Sequence, residues 1–594
     1  MAAKGATSQA LLFHPPATAP TSHQINYALK VIAPPFSAAS GDGGSFLLVR
    51  RKRRGMIAFH PQKYEGIWMR MLLPCFSLAL LGASAQGAAA DRAGQWWAHV
   101  ETLASDANEG RATGSRGFER AASYVVDQFR ALGLKPAGSD GYRQPIDFVE
   151  QTILADGSSA VLAGPSGDRA LAIPSDLILS GSGGPVPETL DAPLVFAGYG
   201  LHLPEAGHDD FAGIDVKGKI VVVISGGPAT ISGALKSHAR SERASWLARR
   251  GAVGLITLVT PKQVEIPWAR RIALSAQPAL YFKDAALRDS PTPFLSAQLD
   301  PDKSAMLFEG SGHDFADLAK AADSSAAVPS FVLAQRLRVR TAARRADLTG
   351  FNLLAVLPGS DRRLAREYVV LSAHLDGYGV GTPMKGDAIY NGAFDNASGV
   401  ASLIEIARNL QAGEVKPRRS ILFAIVTGEE RGLLGSEYFT ERPTVSRGAM
   451  VANLNFDMAL PIFPLTSVTP IGYDQSSLGQ QAAAVSAQMQ LPITPDPFPD
   501  RNVFIRSDQY SFIRAGIPAL FFKYGFKAGT PEAEVEKSWR ANIYHSPFDD
   551  TKQPVMPGES VKLNDYVTAV TLRVANEDKR PQWNKDSFFR RFAR

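Results

Sequence analysis

The stretch RSILFAIVTGEE, residues 419–430, decides how the rest of the chain is read. Ile421 to Val426 are apolar without a polar alternation, the pattern of a strand covered on both faces. The strand then breaks at Thr427-Gly428 and delivers two carboxylates, Glu429 and Glu430, at its end. Working outward, EYVVLSAH (367–374) is a second such strand ending at His374, and MVANLNFDM (450–458) a third that delivers Asp457. IPALFFKY (517–524) is a further core strand. Between the first two lies VASLIEIARNL (400–410), whose Val400, Leu403, Ile404, Ala407 and Leu410 recur at helical spacing, so Asp395 sits just before a helix start. Strand, helix, strand in this order predicts an α/β fold: a mixed sheet flanked by helices.

In open α/β sheets, ligands bind outside the carboxyl ends of the strands. His374, Glu429, Glu430 and Asp457 all reach that edge, and Asp395 is placed to join them. His545, in the polar turn Ile543-Tyr544-His545-Ser546-Pro547, is free to complete the set. Imidazole nitrogen and carboxylate oxygen suit zinc. Two histidines with three carboxylates can hold two ions, which at a separation of about 3.5–4 Å need a shared bridging group. Taken singly, each residue has a plainer explanation: a helix-start carboxylate, a strand-end residue or a turn former. Their ordered coincidence points to a metal centre.

The remaining sequence sets the surroundings. From Gln95 to about Phe148 the pattern reads as helical, with Trp96, Trp97, Val100 and Leu103 on one face, Ala122, Val125, Val126, Phe129 and Leu132 on another, and Gly133 as a stop. APLVFAGYG (192–200), GKIVVVISG (218–226) and AVGLITLV (252–259) are strands of a separate small middle domain, with a helix through Ala244, Leu247 and Ala248 ending at Gly251. No internal repeat is evident. The glycine-rich GYG and GSGG segments lack the following helix of a phosphate-binding loop, and no nucleophile elbow surrounds Ser436 or Ser546.

At 594 residues, with 45% apolar and 20% charged content, the chain is long enough for two or more domains. Its net charge is only +6, partly from the run Arg50-Arg51-Lys52-Arg53-Arg54, so no nucleic-acid partner is expected. The single cysteine, Cys75, lies in an apolar stretch from Met71-Leu72-Leu73 to Leu80-Leu81 that is preceded by Arg70 and followed by small residues. Residues 69–90 read as a signal peptide, with a secreted or periplasmic mature chain that has no stable membrane span. Residues 1–55, rich in Pro, Ser, Ala and Gly, read as a disordered or over-extended leader, with Met56, Met69 and Met71 as alternative starts.

The segments SAHLDGYGVG (372–381), GDAIYNGAFDNASGVASLIEIA (386–407), AIVTGEERGLLGSEYF (424–439), NLNFDM (453–458) and YHSPFDD (544–550) resemble, in order, those of the M28 family of zinc metallopeptidases. The resemblance extends to EGRATGSRGFERAASYVVDQFRALGLKPAG (109–138), and FAGYGLHLPEAGHDDFAGIDVKGKIVVV (196–223) is similar to the protease-associated domain inserted in many members. Altogether it covers about Gln95 to Val574. It implies a phosphorylase/hydrolase-like, zinc exopeptidase fold: residues 91–150 would form the N-terminal part of the peptidase domain, 180–335 a β-rich protease-associated domain, and 345–580 the catalytic domain. It also implies two zinc ions per chain: His374 and Asp457 would bind one, Glu430 and His545 the other, and Asp395 would bridge them. Glu429 would be the catalytic base, and Asp376 would orient the His374 imidazole. The expected activity is removal of N-terminal residues from peptide substrates through a metal-activated water. Alternatives are a carboxypeptidase or dipeptidase on the same scaffold, or a non-catalytic receptor-like module; the oligomeric state stays open. Two positions depart from the family pattern: Gly377 stands where several relatives carry histidine, and Gln509 in Arg506-Ser507-Asp508-Gln509-Tyr510 stands where Ser-Asp-His is common.

Overall fold

The computed structural model describes residues 90–593 apart from residues 182, 265, 291 and 502. The expected leader, the basic run, Cys75 and the expected signal segment up to residue 89 lie outside the described residues. The described chain opens with helix α1 (residues 90–103) and helix α2 (Arg116–Ala131). The Ser115 hydroxyl accepts the Phe118 N–H at 3.1 Å and so starts α2, and Gly133, at φ +70°, stops it as its position in the sequence predicts. The helical pattern does not continue to Phe148. Residues Arg143–Gly164 form a long strand, β1, whose buried Gln144, Ile146 and Phe148 alternate with more exposed neighbours. Period two wins here because the segment finds a strand partner far along the chain, and pairing outweighs local preference.

The middle region contains β2 (Leu177–Gly181), β3 (Thr189–Ala197), β4 (Ile220–Ile224), helix α3 (Gly233–Arg249), β5 (Gly254–Leu258), helix α4 (Trp268–Ser275) and β6 (Leu295–Leu299). The strand β7 (Ser330–Leu357) leads out of it. Next come β8 (Tyr368–His374), helix α5 (Ser398–Ala412), β9 (Ser420–Val426), β10 (Met450–Asn455), β11 (Val468–Ile471), β12 (Ala519–Tyr524), and helices α6 (Pro531–Asn542) and α7 (Pro557–Asn576).

These strands form one continuous mixed sheet in the order β11-β12-β10-β8-β9-β7-β3-β4-β5-β6-β2. β8, β9, β10 and β12 run parallel to one another, as do β3, β4, β5 and β6; β7 joins the two sets antiparallel to both β9 and β3, and the edge strands β11 and β2 are antiparallel to β12 and β6. β7 pairs with β3 through its first residues, Ser330 to Arg340, and with β9 through its last, Leu353 to Leu357; β1 lies along it over most of its length. The boundary expected at 335 therefore falls inside a strand that belongs to both parts of the molecule.

Hydrophobic cores form separately on the two parts. In β9, Ile421, Phe423 and Ile425 face α1, α2, α5 and α7, and Leu422, Ala424 and Val426 face Phe439 and Phe512 on the other side. In β4, Ile220, Val222 and Ile224 pack with Phe196 and Leu258, and Val221 and Val223 with Leu247 and Phe294. Covering both faces explains the unbroken apolar runs, at roughly 1.5–3 kcal/mol per buried side chain. Among the described residues, no helix is long and apolar enough to cross a membrane.

Candidate metal centre

β8 lies between β9 and β10 with all three parallel, and the register sets His374 beside Val426 and Ser372 beside Asn455. The chain therefore leaves all three strands at one edge. His374 is the last residue of β8, and Asp457 follows β10 by two residues. After β9, Gly428 takes φ +70°, a left-handed turn that a Cβ would strain, and Glu429 and Glu430 follow at once. Asp395 lies in the turn that leads into α5, and its peptide bond to Asn396 is cis. His545 stands just after α6, the part of the set farthest along the chain.

Asp395 is the centre of the arrangement. Its Oδ1 lies 3.3 Å from His374 Nε2 and its Oδ2 lies 3.2 Å from His545 Nε2. Asp457 Oδ1 is 3.7 Å from His374 Nε2, and Glu430 Oε2 is 3.4 Å from His545 Nε2. Two triads result, His374/Asp395/Asp457 and Asp395/Glu430/His545, and within each the donor atoms all lie within 4.8 Å of one another. The buried His374 Nε2 and Asp457 Oδ1 make no hydrogen bond. Two such atoms left facing each other in the interior are costly unless a cation lies between them. The donor set of imidazole and carboxylate, with these orphaned atoms, fits zinc. Glu429 belongs to neither triad; its Oε2 is 4.0 Å from His374 Nε2, and it keeps 12% of its side chain exposed against 4% for Glu430.

The electrostatics follow from burial and crowding. Burial works against ionisation of Asp395, but the two imidazoles outweigh it and hold the carboxyl far below its ordinary range. Glu429 moves the other way: burial first, then the neighbouring Asp457 and Glu430 charges, raise it well above a normal glutamate. Burial lowers His374, yet Glu429, Asp395 and Asp457 more than reverse this. The raised His374 and Glu429 both reflect the concentration of carboxylates around them, which favours a cation.

Asp376 makes a contact other than the expected one. His374 Nδ1 lies 3.1 Å from the Asp376 main-chain oxygen and 3.8 Å from its carboxylate. The carboxylate instead accepts the N–H groups of Glu429 at 3.2 Å and Glu430 at 3.4 Å, fixing the turn that carries both glutamates.

Several supporting residues had no assigned role in the sequence. Asp549 accepts the N–H groups of Phe394 and Asp395, each at 2.9 Å, and thereby holds Asp395; burial pushes its carboxyl up to about 7. Tyr378 OH lies 3.2 Å from His545 Nδ1, which leaves Nε2 facing the carboxylates. Arg111, fully buried, donates to the carbonyl oxygens of Leu103, Leu375, Asn391 and Gly392 and ties together the loops behind Asp376 and Asp395. Arg111, Tyr378 and Asp549 all sit within the quoted motifs, which is the signal that could have found them.

Residues 352–571 match the family model of peptidase family M28. The chain carries a peptidase family M28 domain. Leupeptin-inactivating enzyme 1 of Streptomyces exfoliatus is 30% identical over 175 residues, which are 29% of this chain and 35% of that protein. Aminopeptidase YwaD of Bacillus subtilis is 26% identical over 198 residues, 32% of this chain and 39% of that protein. In both cases the match spans little more than a third of the relative's own length. Among solved structures, an aminopeptidase from Aneurinibacillus sp. strain AM-1 aligns with 83% of this chain and 98% of its own, at 19% identity and a TM-score of 0.48.

The two departures from the M28 pattern have local causes. A Cβ on Gly377 would come within 2.9 Å of the Gly110 carbonyl oxygen, so the loop before Arg111 occupies the space of a side chain there. Gln509 is fully buried: its Oε1 accepts from Asn455 at 2.8 Å and its Nε2 donates to the Val503 and Phe504 carbonyls, each at 3.0 Å. Its amide braces β10, with both its oxygen and its nitrogen hydrogen-bonded inside the protein.

Proposed function

We propose that the protein is a secreted or periplasmic di-zinc aminopeptidase that removes N-terminal residues from peptides. The observation that carries this is the sharing of Asp395 between two triads with Glu429 left outside both. The M28 match and the aminopeptidase named among its relatives support the reaction class. The apolar segment at residues 69–90 supports export.

His374, Asp395 and Asp457 would hold one zinc, and Asp395, Glu430 and His545 the other. Zinc supplies a Lewis acid for the peptide carbonyl and lowers the pKa of water towards about 7. Glu429 accepts a proton from the attacking water as its oxygen bonds to the carbonyl carbon, then passes that proton to the nitrogen of the breaking C–N bond. Asp376 keeps Glu429 in reach by bonding its N–H. Asp549 and Tyr378 hold Asp395 and His545 in orientation.

The middle region, residues 180–335, is proposed as a protease-associated domain that narrows access. A cleft of about 520 Å³ runs between Leu274 and Pro278 of this region, with Ile178 just ahead of it in the chain, and the Tyr378, Glu430 and His545 wall of the centre. The part of the substrate beyond the scissile bond would lie there, against a mixed lining in which Gln151, Arg271, Gln277 and Gln298 stand among the apolar side chains.

Assays on amino-blocked and carboxyl-blocked peptides, with zinc content measured on the same sample, test the proposal. Cleavage only of peptides with a free amino terminus is the expected result. Cleavage that requires a free carboxyl terminus would make the enzyme a carboxypeptidase. Undiminished hydrolysis after complete metal removal would sink the metal reading.

A further inference from the structure

The turn that presents His545 is held from outside the peptidase domain. α6 ends at Asn542, and His545 itself takes φ +52°, an uncommon conformation for a residue with a side chain. Carbonyl oxygens in the last turn of a helix lack intrahelical partners and need donors from elsewhere. Here the donor is Arg270 of α4, in the middle region. Its Nη1 lies 3.3 Å from the Arg540 oxygen and 2.8 Å from the Tyr544 oxygen, and its Nη2 lies 2.7 Å from the Ala541 oxygen. One guanidinium therefore spans the end of α6 and the residue before His545. It is 6% exposed, and its positive charge sits where a helix C-terminus favours a cation. α4 is fixed in turn: the Ala273 carbonyl accepts from Thr382 Oγ1 at 3.4 Å, in the hairpin that follows β8.

We propose that Arg270 is a positioning residue of the metal centre. From the middle region it sets the turn that aims His545 at Asp395 and Glu430, and so tunes the second metal site without touching it. This rests on the reading that His545 binds metal. The planar, fixed fork of arginine suits three carbonyls in two directions, whereas the compact ammonium of lysine cannot reproduce it.

Zinc titration against a chromophoric chelator, on the full chain, tests this with a readout independent of activity. Wild type should bind two zinc ions, and H545A should lose one. R270A should keep the site of His374 and Asp457 at wild-type affinity and weaken the other by about 10–100-fold, the usual effect of removing a partner that orients a ligand. R270K should recover only part of that loss, and R271A, on the same helix with its guanidinium bonded to Gln298, should leave both affinities unchanged. R270Q, which keeps a planar donor, is measured beside R270A so that a folding defect in one variant does not decide the outcome. A second-site affinity within twofold of wild type in folded R270A or R270Q overturns the proposal, as does equal weakening of both sites, the mark of a general structural role. If H545A binds as much zinc as wild type, the metal reading of His545 fails instead, which is a separate result.

Discussion

Two parallel strands, β4 of the middle region and β9 of the peptidase domain, are buried along their whole length, yet β4 runs out into Ser225, Gly226 and Gly227 and β9 into Gly428, Glu429 and Glu430. β4 has a parallel neighbour on each side and β9 one parallel and one antiparallel neighbour, and both have apolar layers on both faces. Among the described residues, groups of His, Asp and Glu able to hold a metal occur at the edge where β8, β9 and β10 end and not where β3 to β6 end. Burial on both faces specifies a strand, and the residues just past the last pairing specify the chemistry.

The largest test of that contrast lies at the strand exits. E429Q should lower kcat by about 10²–10⁴-fold with its zinc content unchanged. S225A, the corresponding change after β4, should leave kcat/KM within twofold. Near-normal turnover by E429Q would remove the distinction between the two edges.

A smaller effect concerns how the two strands are joined. I421A in β9 and I220A in β4 each empty a fully buried site and should cost about 2–5 kcal/mol in urea unfolding. Because β1 and β7 run through both parts of the sheet, both variants should shift one shared transition. Two separated transitions, each moved by one variant only, would show that the parts unfold independently despite the shared strands.

The smallest expected effect lies where the middle region meets the peptidase domain. Glu437 is partly buried there near Asp289, Glu242 and Glu441, with Arg514 at 3.6 Å, and Arg514 also reaches Glu242 and packs by Tyr510. Burial, with Asp289 next, pushes its carboxyl up to about 7. Arg249 acts on Asp289 in the same cluster. A carboxyl raised on folding contributes stability that is whole below its unfolded pKa of about 4.5 and is lost as pH rises through 7. E437Q should therefore match wild type near pH 4 and exceed it above pH 7 by up to roughly 3 kcal/mol, at 1.36 kcal/mol per unit. Parallel pH–stability curves for the two proteins would contradict this.

How much of the centre could be read in advance depended on how local each signal was. His374, Glu429, Glu430 and Asp457 were legible because each follows an apolar run that forces a strand. Asp395 and His545 sit in turns, and only their place in a family pattern singled them out. Arg111 stood inside a family motif, but its partners and those of Arg270 were not legible, since the two bond main-chain oxygens as far as 281 and 274 residues along the chain, and a carbonyl leaves no mark in a sequence. β1 was misread beyond Gly133 because its strand character comes from β7, almost two hundred residues on.

By itself, then, the sequence determined the strands of the peptidase sheet, the helix after Asp395 and the chemical identity of the donor set, because hydrophobic period and residue type act over a few neighbours. Only the tertiary structure decided that Asp395 is shared, that Asp376 holds the glutamate turn, and that a helix of the middle region braces His545. Those facts depend on which distant segments meet, and pairing and burial energies summed over the whole chain settle that as it folds.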